Sequence, residues 1–283
     1  MNSAVNRTTS ASGRQQSGVG GDTAMLATTI WWAAMLTLQL AHALALLLAV
    51  RTPPRTDYDR NMRICASLYV VAAAYRSCFP VLWEARPHGC LFAWPGGALV
   101  DQIFSQVGEV AFAVQVAIAT ERALRLRGQP ASAAVARNTY LVIAFVARPC
   151  CWAGCATDFK GFHVVEESCW AAFAAVNGAL LAPHAAGDAL VGVCVGVIAV
   201  YVAFMLAVDV PMYLQQWRDD AARGVEYASL VDGLVAMARC RNVVTDYEPW
   251  REAIVWQTGY FGVFPALSVA LARTGLEPAS KIT

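Results

Sequence analysis

Residues 24–50 read AMLATTIWWAAMLTLQLAHALALLLAV, a stretch in which no side chain is charged. A helix of that length is long enough to cross the hydrocarbon core of a bilayer, even when it is tilted. The whole chain has the same character, because 58% of its 283 residues are hydrophobic and only 14% are charged. A soluble domain carries about 25% charged residues. The sequence therefore predicts an α-helical protein that is integral to a membrane.

Six further stretches are long and apolar enough to predict membrane-spanning helices, and they cover residues 64–83, 98–124, 138–156, 163–182, 189–208 and 253–272. The expected fold class is an all-α, polytopic transmembrane helix bundle with seven spans. An alternative stays open for residues 163–182, because this stretch opens with Glu166 and Glu167. If it is a re-entrant segment, six spans remain. The transmembrane helical domain is expected at 24–272, followed by a C-terminal tail at 273–283.

The N-terminal tail, residues 1–23, is rich in Ser, Thr, Gly and Gln, a composition typical of a disordered segment. It contains arginines but no acidic residue before Asp22, so an organelle-targeting segment is the alternative interpretation. The triplet Asn6-Arg7-Thr8 is an N-glycosylation sequon, which matters only if this end faces a secretory lumen.

The longest connection between apolar stretches, residues 214–250, is expected to lie outside the membrane and to contain an amphipathic helix. Its apolar residues recur at the spacing of one helix face: Tyr227, Leu230, Val231, Leu234, Val235 and Ala238. The charged residues of this segment fall largely off that face. Such a helix lies on the membrane surface or covers the bundle.

Arginine is unevenly distributed among the connections. The first and third connections are rich in arginine, whereas the second contains only Arg86. By the positive-inside rule, the first and third connections are cytoplasmic and the N-terminus is outside. With seven spans the long connection, residues 214–250, is outside as well. With a re-entrant fifth segment it is cytoplasmic.

Arginines and carboxylates interrupt the apolar stretches, where one ionisable side chain costs roughly 2.5–3.5 kcal/mol. Arg76 and Arg148 lie about 10 Å and about 6 Å below the outer interface, at 1.5 Å per helical residue. The third stretch carries polar side chains on one helix face: Gln102, Ser105, Gln106 and Glu109. Glu166 and Glu167 enter from the same side. Because buried charges need partners, we expect these groups to meet in the outer half of the bundle.

The candidate ligand or ion-pair site comprises Arg76, Gln102, Gln106, Glu109, Arg148, Glu166 and Glu167. Guanidinium groups bind carboxylate or phosphate through two hydrogen bonds, so this composition favours binding or transport of a small polar or anionic ligand. The carboxylates would act as counter-ions or proton carriers. One alternative is a membrane enzyme that acts on a lipid or isoprenoid substrate, with the carboxylates as acid and base. Another is a structural subunit in which the charges pair between chains.

Neither a cofactor nor a metal site is predicted. No lysine lies in a predicted span, where retinal would need one, and the Cys and His residues lack the spacing of a zinc site. A net charge of +1 gives no basic field for nucleic acid. The expected partners are the lipid bilayer, a small polar or anionic ligand, and further chains of an oligomer or a larger membrane complex.

The cysteines number nine, so they cannot all pair within one chain. Free, apolar thiols are the first interpretation, because buried cysteine behaves as a small hydrophobic residue. In an oxidising compartment, Cys90 could instead pair with Cys155 or Cys169 and tie the second connection to the fourth.

Overall fold

A computed structural model describes residues 19–83, 88–92, 97–240 and 242–273. The helices are α1 (Val19–Val50), α2 (Asp57–Cys78), α3 (Gly97–Leu126), α4 (Pro130–Asn138), α5 (Tyr140–Val142), α6 (Arg148–Thr157), α7 (Lys160–Leu181), α8 (Ala189–Phe204), α9 (Val210–Arg223), α10 (Leu230–Arg239) and α11 (Tyr247–Arg273). A short 3₁₀ turn, Ala182–His184, follows α7. The strands are β1 (Val81–Leu82), β2 (Gly89–Cys90) and β3 (Asn242–Val243). The all-α fold class is thus confirmed.

Some expectations fall outside the described ranges. They concern the sequon at Asn6, residues 1–18 of the polar tail, Arg86 and residues 274–283 of the C-terminal tail. The backbone of α1 is helical from Val19, and its apolar part begins at Met25.

Six helices in the described ranges are long and apolar enough to cross a membrane: Met25–Val50, Gly97–Leu126, Pro130–Thr157, Lys160–His184, Ala189–Arg223 and Ala253–Arg273. The chain is therefore an integral, multi-pass membrane protein. The fifth predicted stretch forms the continuous helix α7, and a re-entrant segment is not confirmed there. A count of seven spans is not confirmed either, because α2 is less apolar than the other long helices.

α2 lies antiparallel to α3 inside the bundle. Near the end of α2, Arg76 binds Asp101 in the first turns of α3. At the other end, the guanidinium of Arg122 lies 5.9 Å from the ring centre of Tyr58. The two helices are therefore side by side over most of their length.

The start of α2 precedes the predicted start at residue 64. Thr56 caps the helix by accepting a hydrogen bond from the backbone N–H of Asp59, which satisfies one of the free donors of the first turn. The early turns consequently carry charged residues that lower the mean hydropathy of α2. Further along, its exposed side chains are apolar: Ile64, Leu68 and Val71.

The long helices form a ring that closes between α1 and α11. α1 packs on α2 and α11, and α7 packs on α6, α8 and α9. Between α8 and α11 the ring continues through aromatic contacts of Tyr201 with Phe264 and of Phe204 with Trp256. α3 is the central helix, because it contacts α2, α4, α7, α10 and α11. Its polar face is consequently buried by neighbouring helices.

Two of the spanning helices contain a π turn. The first, Ile143–Ala147, joins α5 to α6, and the second, Met205–Asp209, joins α8 to α9. A proline follows each turn at the same spacing, Pro149 and Pro211. Proline has no N–H and crowds the carbonyl four residues before it, and the wider π turn accommodates both effects. The helix that starts at Ala189 therefore continues to Arg223, past the predicted apolar stretch, which ends at residue 208.

The connections at one end of the bundle form a small cover. β1 pairs antiparallel with β2, and β2 pairs parallel with β3. α10 packs on α6 and α3, and Gly233 makes the close approach, since a Cβ there would overlap the carbonyl of Ala156. At the opposite end, Arg127 forms an ion pair with Asp188.

The predicted amphipathic helix corresponds to α10, and part of its apolar face lies on the surface of the protein. Gly233 and Met237 are its buried residues. Val231 is 69% exposed and Leu230 49% exposed. The small glycine allows α10 to approach α6 closely, whereas the branched side chains stay on the surface, where a membrane interface accepts apolar groups.

Candidate functional site

Arg148 is the cation at the centre of the buried polar network, and only 1% of its side chain is exposed. It follows the first π turn directly. Its Nη1 lies 2.6 Å from Oε2 of Glu109 and 3.3 Å from Oε1 of Glu166. Its Nε donates to Oε1 of Gln106 at 3.2 Å, and its Nη2 to the hydroxyl of Ser105 at 3.1 Å. All three guanidinium nitrogens therefore have partners, as burial in a membrane protein requires.

Glu109 is the carboxylate that the two buried arginines share. Its Oε2 contacts Arg148, and its Oε1 lies 3.6 Å from Nη1 of Arg76. The hydroxyls of Ser105 and Tyr260 donate to the same Oε1 at 2.7 Å and 2.9 Å. Glu109 lies about 18 Å along α3 from its first residue, at 1.5 Å per residue. That distance places the shared carboxylate near the middle of the helix bundle.

Arg76 has a second carboxylate partner nearer the covered end. Its Nε donates to both oxygens of Asp101 at 3.1 Å and 3.3 Å, and the indole N–H of Trp83 donates to Oδ2 at 3.2 Å. The guanidinium also lies 5.4 Å and 5.3 Å from the ring centres of Tyr260 and Phe261, a cation–π geometry. Arg76 is thus held by α3 and α11 together.

Glu166 connects the network to His163 on the same helix. Oε2 of Glu166 lies 3.0 Å from Nδ1 of His163, and the imidazole stacks on the ring of Tyr213 at 5.0 Å between ring centres. Since a carboxylate accepts, Nδ1 carries the proton in this contact. Glu166 therefore lies between a permanent cation, Arg148, and a titratable one.

Glu167 forms no ion pair with Arg76 or Arg148 among the described residues. Its helix, α7, packs on the second π turn, which ends at Asp209. Asp209 is 5% exposed, and its Oδ2 has no hydrogen-bond partner in the described part of the chain. Both acids therefore stand apart from the ion pairs of the arginine network.

The two glutamines of the candidate site have different surroundings. Gln106 belongs to the network, because its Oε1 accepts from Arg148 and from the indole N–H of Trp152, each at 3.2 Å. Gln102 is fully buried, but it contacts thiols: its Nε2 lies 3.1 Å from Sγ of Cys151, and its Oε1 accepts from Cys155 at 3.9 Å. The structure therefore does not bring Gln102 into contact with the charged groups.

The predicted candidate site did not include several residues of the network, although Ser105 had been placed on the polar face of the third stretch. Asp101, Ser105 and Tyr260 share helix faces with polar or aromatic neighbours, so periodicity alone could have included them. Asp209 lies just beyond the predicted span at 189–208. An acidic residue at the end of the uncharged run from Ala189 was the available signal, and the π turn is what keeps Asp209 inside a helix.

The network is largely enclosed by packing. The side chains of Arg76 and Glu109 are 15% and 13% exposed, and they line a narrow crevice together with Tyr69, Ser105, Tyr260 and Phe261. The charged groups in this conformation are therefore satisfied by one another. A ligand would have to displace one of the existing partners.

The cysteines are free thiols, so neither a Cys90–Cys155 nor a Cys90–Cys169 disulfide is present. The thiol beside Cys90 is that of Cys240, which the parallel pairing of β2 and β3 brings to the same end of the bundle. Burial and this neighbouring thiol raise the pKa of Cys90 to about 12. The described residues contain no cluster of three or more His, Cys, Asp or Glu side chains that could hold a metal ion.

Comparison with known proteins does not assign a function to this site. No family model matches the chain, and no curated protein or solved structure is similar to it.

Proposed function

We propose that this membrane protein transports a small anion together with a proton, with Arg76, Glu109 and Arg148 as the binding groups. The observation that carries the proposal is the position of Glu109, whose two oxygens contact different arginines at 3.6 Å and 2.6 Å. One carboxylate therefore bridges two permanent cations that come from two other helices.

The shared carboxylate couples proton binding to anion binding. While Glu109 is ionised, it occupies both guanidinium groups and an anion has to compete with it. When Glu109 binds a proton, the site loses one negative charge, and Arg76 and Arg148 keep only their other carboxylate partners, Asp101 and Glu166. An anion with two oxygens then restores the balance, because guanidinium binds carboxylate or phosphate through paired hydrogen bonds. Proton and anion therefore occupy the site together.

The proposal includes a seventh crossing by α2 and an external N-terminus. Support comes from the contacts of α2 with α3, which join Tyr58 to Arg122 at one end and Arg76 to Asp101 at the other. A helix that accompanies a spanning helix over this length crosses most of the same slab. With seven crossings the network lies in the outer half of the bundle, nearer the β1–β2–β3 cover.

The alternatives receive less support from the same contacts. A lipid- or isoprenoid-modifying enzyme needs a carboxyl group that is free to act as acid or base, whereas both oxygens of Glu109 contact arginines. A structural subunit with charges paired between chains needs unpaired charges within one chain, whereas Arg76 and Arg148 have partners inside it.

Transport by the purified protein in vesicles tests the proposal. Uptake of radiolabelled orthophosphate or acetate is measured with and without an inward proton gradient. The wild type is expected to respond to the gradient. Glu109→Gln is expected to lose that response, because an amide cannot bind or release the coupled proton.

The matched control is Glu121→Gln, which changes the same residue type on the same helix. Glu121 pairs with Arg125 and Arg137 away from the network, so its variant should keep the response to the gradient. A wild type that moves neither anion, or a Glu109→Gln variant with unchanged pH dependence, would contradict the proposal.

A further inference from the structure

An open groove lies at the end of the bundle where α1 ends and α2 begins. Its volume is about 330 Å³, within the range of roughly 300–1,000 Å³ that is usual for ligand sites. Two arginines, one hydroxyl and several apolar side chains line it: Val50, Pro54, Arg60, Arg63, Ile64, Ser67 and Leu68. Arg76 of the buried network lies about 20 Å further along α2 than Arg63, at 1.5 Å per residue, so the groove is a separate feature.

Positive charge and apolar surface are separated along the groove. Arg60, Ile64 and Leu68 follow one another at intervals of four residues, so they lie on the same face of α2. Ile64 is 51% exposed and Leu68 44% exposed. Leu68 lies about 12 Å further into the bundle than Arg60, at 1.5 Å per residue. The groove therefore has cations at its mouth and an apolar wall below them.

The level of the groove relative to the bilayer follows from α1. The apolar span of this helix ends at Val50, which places the membrane surface near the mouth of the groove. One turn deeper, Leu46 of α1 packs against Ala66 and Val70 of α2. The apolar wall of the groove is thus at the depth of the lipid chains, and its arginines are at the depth of the headgroups.

The charges of the two arginines remain available to a ligand. Nη2 of Arg60 lies 3.1 Å from Oδ1 of Asp57, but both side chains are exposed, and an exposed ion pair contributes little. The terminal nitrogens of Arg63 donate to the backbone carbonyl and the hydroxyl of Thr52, and both of these acceptors are neutral. The connection at residues 51–63 has four arginines and two aspartates, so its excess charge is positive.

We propose that this groove binds an anionic phospholipid, with the phosphate at Arg60 and Arg63 and an acyl chain along Ile64 and Leu68. Guanidinium groups form paired hydrogen bonds with phosphate, and basic pockets between membrane-spanning helices bind anionic headgroups. A soluble phosphate would use only the arginines and leave the apolar wall uncovered, whereas a lipid fills the whole groove. The lipid site is independent of the proposed transport function.

Native mass spectrometry of the purified protein in a mild detergent tests the site. Dioleoyl phosphatidylglycerol and dioleoyl phosphatidylcholine are titrated separately, and the fraction of lipid-bound protein gives an apparent Kd for each. The two lipids have the same chains and both contain phosphate, but choline neutralises its charge. The wild type is expected to bind phosphatidylglycerol more tightly. Glycerol 3-phosphate, which has the phosphate without the chains, is expected not to displace it at equal concentration.

Arg60→Gln is expected to weaken binding of phosphatidylglycerol by about fivefold and to change binding of phosphatidylcholine little. Its side chain contacts the exposed Asp57, so the fold should survive, and size-exclusion elution checks this. Arg63→Gln is expected to act in the same direction. Arg125→Gln is the matched control, because Arg125 pairs with Glu121 outside the groove, at the end of α3 that adjoins the start of α2.

Equal affinity of the wild type for the two lipids would overturn the proposal. An Arg60→Gln variant with undiminished affinity for phosphatidylglycerol, or an equal loss in Arg125→Gln, would do the same, because the lipid would then respond to surface charge in general. Displacement by glycerol 3-phosphate would identify a phosphate site that does not need a lipid chain, and this result also contradicts the proposal. Anion uptake in vesicles does not affect any of these outcomes.

Discussion

At the scale of single residues, Arg148 shows how a permanent charge is tolerated inside a membrane. A guanidinium in hydrocarbon needs a counter-charge and a partner for each of its N–H groups. Glu109 and Glu166 supply the counter-charge, while Gln106 and Ser105 accept the remaining hydrogen bonds. The arginine on α6 therefore fixes the polar faces of α3 and α7 relative to each other, and removing it should affect stability more than removing an exposed arginine does.

We predict that Arg148→Gln lowers the melting temperature of the detergent-solubilised protein strongly. The variant leaves Glu109 and Glu166 without their main cation, and breaking a buried pair in this way costs about 3–5 kcal/mol. The measurement is a thermal unfolding curve followed by tryptophan fluorescence.

Arg125→Gln is the matched control, because Arg125 is half exposed and pairs with Glu121 on the same helix. An exposed pair contributes only about 0–1 kcal/mol, so this variant should melt close to the wild type. Equal losses in the two variants would mean that Arg148 is not held as described.

Single residues could be predicted from sequence where a charge interrupts an apolar run. Arg76, Glu109, Arg148 and Glu166 were identified on that basis, and the structure brings them into contact; a binding role for them stays a prediction. Gln102 was included because it shares a helix face with Glu109, but which neighbour a buried amide meets depends on the facing helix. That helix presents Cys151 and Cys155 to it.

At the scale of elements, the cover over one end of the bundle depends on close backbone approach and on thiols. Cys90 at the end of β2 lies beside Cys240, which follows α10. The hydrogen bond from the Cys240 thiol to the carbonyl of His88 fixes the two segments together at 2.7 Å. The two segments are far apart in the sequence, so an experiment that detects their contact tests how the connections at this end pack.

We predict that a mild oxidant, such as copper phenanthroline with oxygen, links Cys90 to Cys240. Each thiol releases one proton and gives one electron to the oxidant, and one S–S bond forms. The reactive form is the thiolate, and the pKa of Cys90 is raised to about 12. The thiolate fraction, and with it the rate, should therefore increase about tenfold per pH unit as the pH rises toward that value.

Mass spectrometry of the oxidised, digested protein identifies the linked peptides. Cys90→Ser should abolish the link and leave Cys240 available to an alkylating reagent. A link from Cys90 to Cys155 or Cys169 instead would mean that the cover packs differently.

Element boundaries and faces were harder to predict than the elements themselves. The start of α2 is set by the cap at Thr56, which lies in a stretch that the sequence marks as a polar loop. The buried face of α10 is set by Gly233, because only a residue without a side chain fits against Ala156. Hydropathy periodicity does not register either effect, since it counts apolar side chains and not close backbone contacts.

At the scale of the whole molecule, most of the long helices place an acidic or basic side chain next to α3. Successive helices alternate in direction, so the connections between them lie at the two ends of the bundle. Arg127 and Asp188 meet at one end, whereas α10 and the three strands meet at the other.

We predict that Thr52→Cys and Ala222→Cys label from opposite sides of the membrane. Seven crossings place these two connections on opposite sides, whereas six crossings, without α2, place them on the same side. A membrane-impermeant maleimide is applied to intact cells and then to permeabilised cells, with the wild type as the control for native thiols. The Ala222→Cys variant should react before permeabilisation and the Thr52→Cys variant only afterwards. Labelling of both under the same condition would rule out a crossing by α2.

The all-α membrane fold could be predicted from composition and from uncharged stretches such as residues 24–50, because the bilayer imposes both length and polarity on a spanning helix. The sequence predicts that the buried charges need partners, but it does not predict which partners they have. Which carboxylate meets which arginine depends on helix rotation, and the π turns before Arg148 and at Asp209 alter that rotation. The spacing of residues in the sequence does not contain that information.

The central claim is that Glu109 and Arg148 contact each other inside the bundle, and a double-mutant cycle measures this contact most directly. Melting of the wild type, Glu109→Gln, Arg148→Gln and the double variant is compared in one detergent. We predict that the double variant is destabilised by much less than the sum of the two single variants, because removing both partners leaves no unpaired charge between them. Losses that simply add would contradict the contact and the network built on it.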